Sequence, residues 1–291
     1  MRWKPLVATF LLVCWAIAAS GRLQASVVAY WPMDEGTGTT TADEASATYN
    51  GTFNTNGGSG PTWTTGKFGN GLALADLDYI DTGVASQTGL NFSGTSPFSI
   101  SAWITRNNVG SYDCIVGKDS YGTNTGYSLW VYTDNKVTFR FGSQLLQSVR
   151  TVTNDGNWHL IVASFDGATR RIYLDGALEA SAGGTLLPAP SLHAYLGTPA
   201  DAVGNINYGL NGKIDDVAIW DTALVQSDVD TLWNGGSGLA ASYAVTPVPE
   251  PLSLQLWLGV LAFAVLFRLR SVRAWCGRPQ VPDCGPAAWS R

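Results

Sequence analysis

Short runs of alternating apolar and polar residues, separated by turn-forming residues, fill the middle of the chain. In Phe98–Thr105 every second residue from Phe98 onward is apolar. Phe98 and Ile100 would therefore face one side of a strand, while Ser99 and Trp103 would face the other. A pattern with a period of two residues predicts a β-strand that lies between two different surroundings.

The same reasoning predicts strands along the whole middle region. They lie at Val27–Trp31, Tyr127–Tyr132, Lys136–Phe141, Trp158–Phe165, Arg170–Leu174 and Lys213–Trp220. Thr133-Asp134-Asn135, Asp166-Gly167 and Asp175-Gly176 supply favourable hairpin turns. Many short strands at regular spacing predict an all-β antiparallel sandwich of roughly ten strands.

One short helix is predicted near the end of this region, at about Gln226–Asn234. Ser227 and Asp228 are candidates for the N-cap, and Gly235-Gly236 would end the helix.

The beginning of the chain has the features of a secretory signal peptide. Arg2 and Lys4 precede an apolar run, Leu6–Ala19, and Leu23-Gln24-Ala25 offers a small residue for cleavage. We expect cleavage after Ala25, or alternatively near Ala19.

The end of the chain combines a short motif, an apolar run and a basic cluster. Val248, Pro249, Glu250 and Pro251 precede the apolar-rich segment Leu252–Phe267, which is at the short limit for a membrane span. The basic residues behind it would stay in the cytoplasm under the positive-inside rule; they are Arg268, Arg270 and Arg273.

This order resembles the PEP-CTERM sorting signal of bacteria, which implies an exosortase-type processing enzyme as a partner. An ordinary C-terminal membrane anchor is the alternative. The final segment, Trp275–Arg291, continues beyond the usual end of such signals and has no physical explanation. The predicted organisation is a signal peptide at 1–25, a folded domain at 26–243, a linker at 244–251, a membrane or sorting helix with its basic cluster at 252–273 and a tail at 274–291.

Charge and cysteine content narrow the class of protein. The formal net charge is −5, and no basic stripe is present, so nucleic acid is not an expected partner. Cys114 is the only cysteine of the folded domain, which therefore has no internal disulfide. We expect Cys114 to be a small buried apolar residue.

Several motifs of the middle region resemble LamG-like jelly-roll domains, in the order that this family has. They include Val28–Gly36, Gly66–Leu72, Phe98–Ile104, Tyr173–Gly176 and Gly212–Trp220. The resemblance implies a concanavalin A-like jelly roll with a short C-terminal helix. It implies little about activity, because this fold hosts many functions. Thr222 stands where the family often has arginine.

The sequence does not indicate a glycoside hydrolase. Such enzymes need two carboxylates beside the sugar bond, and this chain has only four glutamates and no Glu-x-Asp-x-Glu motif. Asp215 and Asp216 are adjacent on a predicted strand and are expected to face opposite sides. His159 is expected to be a half-buried strand residue, and His193 lies in a loop. We therefore expect no catalytic residues.

The resemblance implies a structural calcium ion. Related domains place Ca²⁺ between the early loop and the closing strand, which here would mean Asp34 and Asp43 with Asp215 or Asp216. Oxygen ligands in bent loops suit this ion. The alternative is that Asp34 and Asp43 are turn residues that bond their own backbone.

Aromatic residues are the candidates for ligand binding. Trp103, Trp130 and Tyr132 are predicted on the outward face of a curved sheet, with Tyr112 and Tyr121 in loops at its rim. For each, packing in the core is the alternative. The favoured hypothesis is an exported binding or adhesion module at the cell envelope or cell surface, or secreted, with a glycan or an extracellular protein as ligand. A self-associating structural component and a carbohydrate-active enzyme of unrecognised type are the alternatives.

Overall fold

The part of the chain that can be described contains sixteen strands. A computed structural model describes residues 26–83, 87–189, 191–200 and 208–244. The strands within these ranges are β1 (Val27–Trp31), β2 (Thr40–Thr41), β3 (Gly51–Thr55), β4 (Thr62–Thr65), β5 (Asn70–Leu74), β6 (Asp78–Asp81), β7 (Phe98–Arg106), β8 (Asp113–Ser120), β9 (Thr125–Val131), β10 (Lys136–Phe141), β11 (Gln144–Thr151), β12 (His159–Phe165), β13 (Thr169–Leu174), β14 (Ala177–Gly183), β15 (Tyr195–Leu196) and β16 (Gly212–Trp220).

The prediction of an all-β antiparallel sandwich is confirmed. Strands β1 and β10 have the predicted bounds, and β7 and β16 differ from them by one residue. The expected number of strands is too low, because several strands have only two to five residues and lie in Thr- and Gly-rich stretches with little apolar alternation.

The strands form two sheets of eight. Sheet A has the order β14-β13-β12-β7-β16-β5-β4, and β1 also pairs with β16; sheet B has the order β11-β10-β9-β8-β15-β6-β3-β2. All strand pairs are antiparallel, and the non-consecutive neighbours require long connections, as in a jelly roll.

The main core lies between the two sheets. Phe98, Ile100 and Ile104 of β7 are buried in it together with Leu129 and Phe139 of sheet B. The opposite side of β7 is also buried, since all nine of its residues are buried. Sheet A therefore has a second apolar layer on its outer face, meaning the face turned away from the main core.

This second layer is the packing surface for the C-terminal helix. Helix α1 (Gln226–Trp233) buries Val229 and Leu232 against Trp103 and Leu160 on the outer face of sheet A. Helix α2 (Ala241–Ala244) is shorter and follows it. The predicted helix is confirmed.

The N-cap of α1 differs from the prediction. The capping residue is Val225, whose backbone N–H donates to Asp228 Oδ2 at 3.0 Å. Ser227 therefore lies inside the helix, while Asp228 supports the first turn from its third position.

Asp215 and Asp216 do not face opposite sides as predicted, because the central strand β16 has a β-bulge at these residues. The pairing of β16 with β7 shifts between Asp215 and Ala218, and Asp216 has a positive φ of 50°. Ile214 and Val217 both belong to the main core. The two residues between them thus both lie on the outer face of sheet A.

Both carboxylates of the bulge accept hydrogen bonds that stabilise the fold. Asp215 Oδ2 accepts the backbone N–H groups of Lys67 at 2.7 Å and Phe68 at 2.9 Å. Asp216 accepts the Tyr30 hydroxyl at 2.5 Å and the backbone N–H of Ala241 at 3.0 Å. The bulge therefore holds the loop before β5 and the start of α2 against the sheet.

Some predictions concern residues outside the described ranges. These are the signal peptide at 1–25, the Val248–Pro251 motif, the helix at 252–273 and the tail at 274–291. No helix within the described ranges is long and apolar enough to span a membrane. Cys114 is buried, as expected.

Replacing Asp215 with alanine should lower the free energy of unfolding by about 2–4 kcal/mol, because buried backbone donors lose their acceptor. Denaturant unfolding of the Asp215→Ala and Asp230→Ala variants measures this. Asp230 is exposed on α1, so its replacement should change stability by less than about 0.5 kcal/mol. Equal losses in the two variants would contradict this role of Asp215.

Candidate functional site

Four aromatic rings meet edge to face on the outer face of sheet B. Tyr112 lies 5.0 Å from Tyr132 and 5.8 Å from Tyr208 between ring centroids. Trp130 lies 6.0 Å from Tyr132 and 6.1 Å from Tyr208. The perpendicular arrangement is the one that aromatic quadrupoles favour. These four residues, with Tyr121 and Arg140, are called the aromatic patch.

Local strand geometry explains why these residues share one face. In β9, Leu129 and Val131 point into the main core, so Trp130 between them points outward. Tyr112 precedes β8, and Tyr121 lies in the turn between β8 and β9. Trp130 and Tyr132 thus lie on the predicted sheet face, and Tyr112 and Tyr121 lie at its rim. Trp130 is nevertheless buried, which is the packing alternative, and ligand binding by the tyrosines stays a prediction.

Arg140 lies between two of these rings. Its guanidinium carbon is 5.1 Å from the Trp130 ring centroid and 5.3 Å from that of Tyr121. Its Nη2 pairs with Asp119 Oδ2 at 2.9 Å. The cation is thus stacked and neutralised, which holds the two rings in fixed positions.

Exposure within the patch is uneven. Tyr121 is 59% exposed and Trp130 only 2%, whereas Tyr112, Tyr132 and Tyr208 are half-buried. Burial raises the pKa of the Tyr132 hydroxyl, and the nearby Arg140 partly offsets this rise. The Tyr132 hydroxyl therefore remains protonated at neutral pH and presents a donor beside an apolar ring face.

Trp103 does not join the patch, which corrects the expectation that it lies open on an outward face. It is on the outer face of sheet A, but its side chain is fully buried. Trp233 of α1 stacks on it with centroids 5.7 Å apart, and Lys67 Nζ lies 4.3 Å from its ring. Helix α1 covers this ring, and the alternation within the strand could not predict that a helix packs there.

The sequence-based prediction of ligand-binding residues did not include two residues of the patch, Arg140 and Tyr208. Arg140 could have been found, because Val137, Phe139 and Phe141 alternate with it in β10, and the hairpin places it on the face that carries Trp130. Tyr208 precedes β16 in a segment without periodicity, and no signal in the sequence indicates it.

The candidate calcium ligands serve other purposes in the described residues. Asp43 is almost fully buried, and its carboxylate accepts the backbone N–H groups of Tyr30, Ala45 and Tyr49. The Ser46 hydroxyl donates to the same carboxylate. This is the arrangement of a turn residue that bonds neighbouring backbone.

The other three candidates also accept hydrogen bonds. Asp34 Oδ1 accepts the N–H of Asn70 at 2.9 Å, and Asp215 and Asp216 hold the bulge contacts. Burial raises the pKa of the Asp215 carboxyl to about 8 and that of Asp216 to about 6. Within the described ranges, no three His, Cys, Asp or Glu side chains group as a metal site. The arrangement of these four carboxylates does not fit a calcium ion.

A separate cleft of about 490 Å³ lies beside α1 on the outer face of sheet A. Trp158, His159 and Asp175 line one part of it, and Lys67 and Trp233 line another. His159 begins β12 and is partly buried, in agreement with its prediction as a half-buried strand residue. His193, the other histidine, lies 3.6 Å from Asp81 and outside this cleft.

Hydrogen bonds fix the histidine of this cleft. His159 Nδ1 lies 2.9 Å from Asp175 Oδ2, and Nε2 lies 3.3 Å from Asp155 Oδ1. The hydrogen bond to Asp175 is the main reason that the pKa of His159 is raised above its ordinary value. A carboxylate at each ring nitrogen favours the protonated imidazolium, in which both nitrogens donate.

Comparison with known proteins gives one family match. Residues 78–230 match a laminin G-type family model described as the concanavalin A-like lectin/glucanases superfamily. No curated protein matches the chain.

Solved structures share the fold at low sequence identity. Domain 4 of AbnA, an extracellular arabinanase from Geobacillus stearothermophilus solved with arabinotriose, is 16% identical, with a TM-score of 0.53 over 71% of this chain and 97% of that domain. The binding domain of botulinum neurotoxin serotype D/C is 17% identical, with a TM-score of 0.53 over 72% of this chain. The binding domain of Paraclostridial Mosquitocidal Protein 1 is 18% identical, with a TM-score of 0.54 over 72% of this chain. This chain spans only 52% of each of the two toxin domains.

The raised pKa of His159 predicts a pH dependence of stability. A histidine whose pKa is higher in the folded state stabilises the fold fully below its unfolded pKa of about 6.5, and this contribution is lost as the pH rises through the folded value. The stability difference between wild type and His159→Gln should therefore be larger at pH 5.5 than at pH 9. Chemical unfolding at both values measures it, and a difference independent of pH would contradict the role of the imidazolium.

Proposed function

Because the chain belongs to the concanavalin A-like lectin/glucanase superfamily, we propose that it is a non-catalytic binding module that recognises a glycan through the aromatic patch. The half-buried rings of Tyr112, Tyr132 and Tyr208, which meet edge to face, carry this proposal. A sugar ring has apolar C–H faces that stack on aromatic rings and hydroxyls that bond polar groups at their edges. The patch offers both.

The structural neighbours support a binding role. One of them was solved with arabinotriose, and two others are toxin binding domains. At 16–18% identity these likenesses show the fold, so the glycan ligand of this chain rests on its own patch. An extracellular protein is the alternative ligand for the same surface.

The absence of catalysis is part of the proposal. The bulge brings Asp215 and Asp216 to the same face, and a glycoside hydrolase needs two carboxylates beside the sugar bond. Both are nevertheless buried, and both accept structural hydrogen bonds. Neither carboxylate is therefore placed to reach a glycosidic bond.

Export and sorting complete the proposed role. The N-terminal segment 1–25 would direct export, and Val248–Pro251 with the apolar and basic segments behind it would direct processing by an exosortase-type enzyme at the inner membrane. The module would then act at the cell surface or in the extracellular matrix, anchored or released.

A glycan array with the purified full chain tests the ligand. We expect selective binding that weakens about tenfold in Tyr132→Ala, because stacking and burial of one aromatic ring contribute a free energy of this order. Tyr195→Ala is the matched control, since Tyr195 is also a half-buried tyrosine of sheet B but contacts Tyr79 rather than the patch.

The same array, run with calcium and with a chelator, tests the metal. Calcium binding remains a prediction of the family resemblance, and the geometry of Asp34, Asp43, Asp215 and Asp216 leads us to expect equal binding in both conditions. Loss of glycan binding in the presence of chelator would contradict this expectation and support a bound calcium ion. A blank array from folded protein, or equal effects of Tyr132→Ala and Tyr195→Ala, would contradict glycan recognition by the patch.

Self-association is a second candidate function, and exposed apolar side chains on two edge strands favour it. Strands β11 and β14 end sheets B and A, and the Arg150–Glu179 ion pair joins them at 2.5 Å. Val149 is 74% exposed and Leu178 is 50% exposed on these edges. Exposed apolar edge strands can pair with another copy.

A charged residue introduced on one of these edge strands should weaken association between two copies of the chain. If the edges associate, wild type sediments as a species larger than the monomer, and Val149→Lys returns it toward the monomer. Val225→Lys, at an exposed valine next to α1, should have no effect. A wild-type monomer at all concentrations would exclude this function.

A further inference from the structure

The cleft beside α1 has the composition of a ligand site and lies on a different sheet from the aromatic patch. Its volume of about 490 Å³ is within the usual range for small-ligand sites. The loop after Gly156, the Asp175-Gly176 turn and the C-terminal end of α1 form its walls. None of these elements contributes to the patch.

Two indole rings supply the apolar surface of the cleft. Trp158 and Trp233 are both half-buried and pack at the margin of the second apolar layer. Trp233 is fixed from behind by its stack on Trp103. Gly176 also confines it, since a Cβ at this position would lie 2.6 Å from Trp233 Cδ1 and the backbone has a positive φ of 81°. Trp233 is therefore held in position before a ligand binds.

Polar groups with fixed directions lie next to these rings. Asp175 is held by the Leu160 N–H at 3.1 Å and by His159. Lys67 Nζ donates to the Gly236 carbonyl at 2.7 Å and, as an ammonium, has two further N–H donors. The backbone of Lys67 is in turn held by Asp215. Both donors and acceptors are thus presented at set positions.

The balance of charge in the cleft selects among ligand classes. Lys67 and Asp175 place one positive and one negative group in the cleft. Asp155 lies beside the cleft and bonds His159. An anionic ligand would meet the Asp175 carboxylate, and a metal cation would meet the ammonium. A neutral ligand with many hydroxyls and an apolar face suits both the charges and the indoles.

We propose that this cleft is a second saccharide-binding site, which takes one ring of a neutral oligosaccharide against Trp158 and Trp233 and bonds its hydroxyls through Lys67 and Asp175. The domain then has a saccharide site on each sheet. Two sites on one domain allow it to cross-link polysaccharide chains or to bind one chain with increased avidity.

Titration of the full chain with cellotetraose, xylotetraose, mannotetraose and laminaritetraose tests this site. Tryptophan fluorescence and calorimetry are the readouts. We expect saturable binding of at least one tetraose with a change in fluorescence, and an affinity about tenfold lower in Trp158→Ala. Trp158→Phe should retain most of the affinity because it keeps an aromatic face.

Controls separate this site from the patch and from the stability of the fold. Trp63→Ala, at a half-buried tryptophan of β4, should leave the fluorescence change and its affinity unaltered. The loss in Trp158→Ala should also be seen when both wild type and variant carry Tyr132→Ala, because the cleft and the patch are separate sites. If Trp158→Ala does not fold, Lys67→Met, which keeps the apolar stem, should still weaken binding severalfold. No binding of any tetraose, or wild-type affinity in Trp158→Ala or Lys67→Met, would overturn the second site. Loss of array binding only in Tyr132→Ala would leave the patch as the sole site.

Discussion

The bulge in β16 is the constraint that sets the outer surface of sheet A. It puts two carboxylates on the same side of a central strand, where desolvation opposes their charge. Asp215 offsets this cost by binding the backbone of Lys67 and Phe68, and Asp216 does so by binding Tyr30 and the N-terminus of α2. A regular strand would have sent one of the two aspartates into the main core.

The position of the cleft follows from this constraint. Lys67 reaches the cleft because its backbone is tied to Asp215, and α1 covers Trp103 because sheet A has a second apolar face for it to pack on. The outer face of sheet B is also largely buried, since Ser128, Trp130 and Arg140 are at most 6% exposed. It carries aromatic and charged residues where sheet A carries an apolar layer. The two faces of the sandwich thus present different chemistry, a cleft on one side and the aromatic patch on the other.

Much of the fold and part of the patch could be predicted from the pattern of residues. Trp130 and Arg140 lie outward because their strand neighbours are apolar and point into the core, a consequence of the two-residue period that needs no tertiary information. The cleft could not be predicted, since Lys67, Trp158 and Trp233 are far apart in the chain and each belongs to a different element. The predicted orientation of Asp215 and Asp216 was wrong for a related reason. The bulge depends on the pairing of β16 with β7, and the local sequence does not reveal that pairing.

The amino-acid sequence by itself determined the class of fold, the strands with clear alternation, the terminal helix and the outward direction of the patch residues, because short-range periodicity and turn chemistry specify these features. Only the tertiary structure decided that Trp103 is covered and that Tyr208 completes the patch. It also decided that Asp215 and Asp216 share one face and that a cleft lies beside α1. Each of these depends on contacts between segments distant in the chain, and such contacts are set by packing and by the need of every buried polar group for a partner.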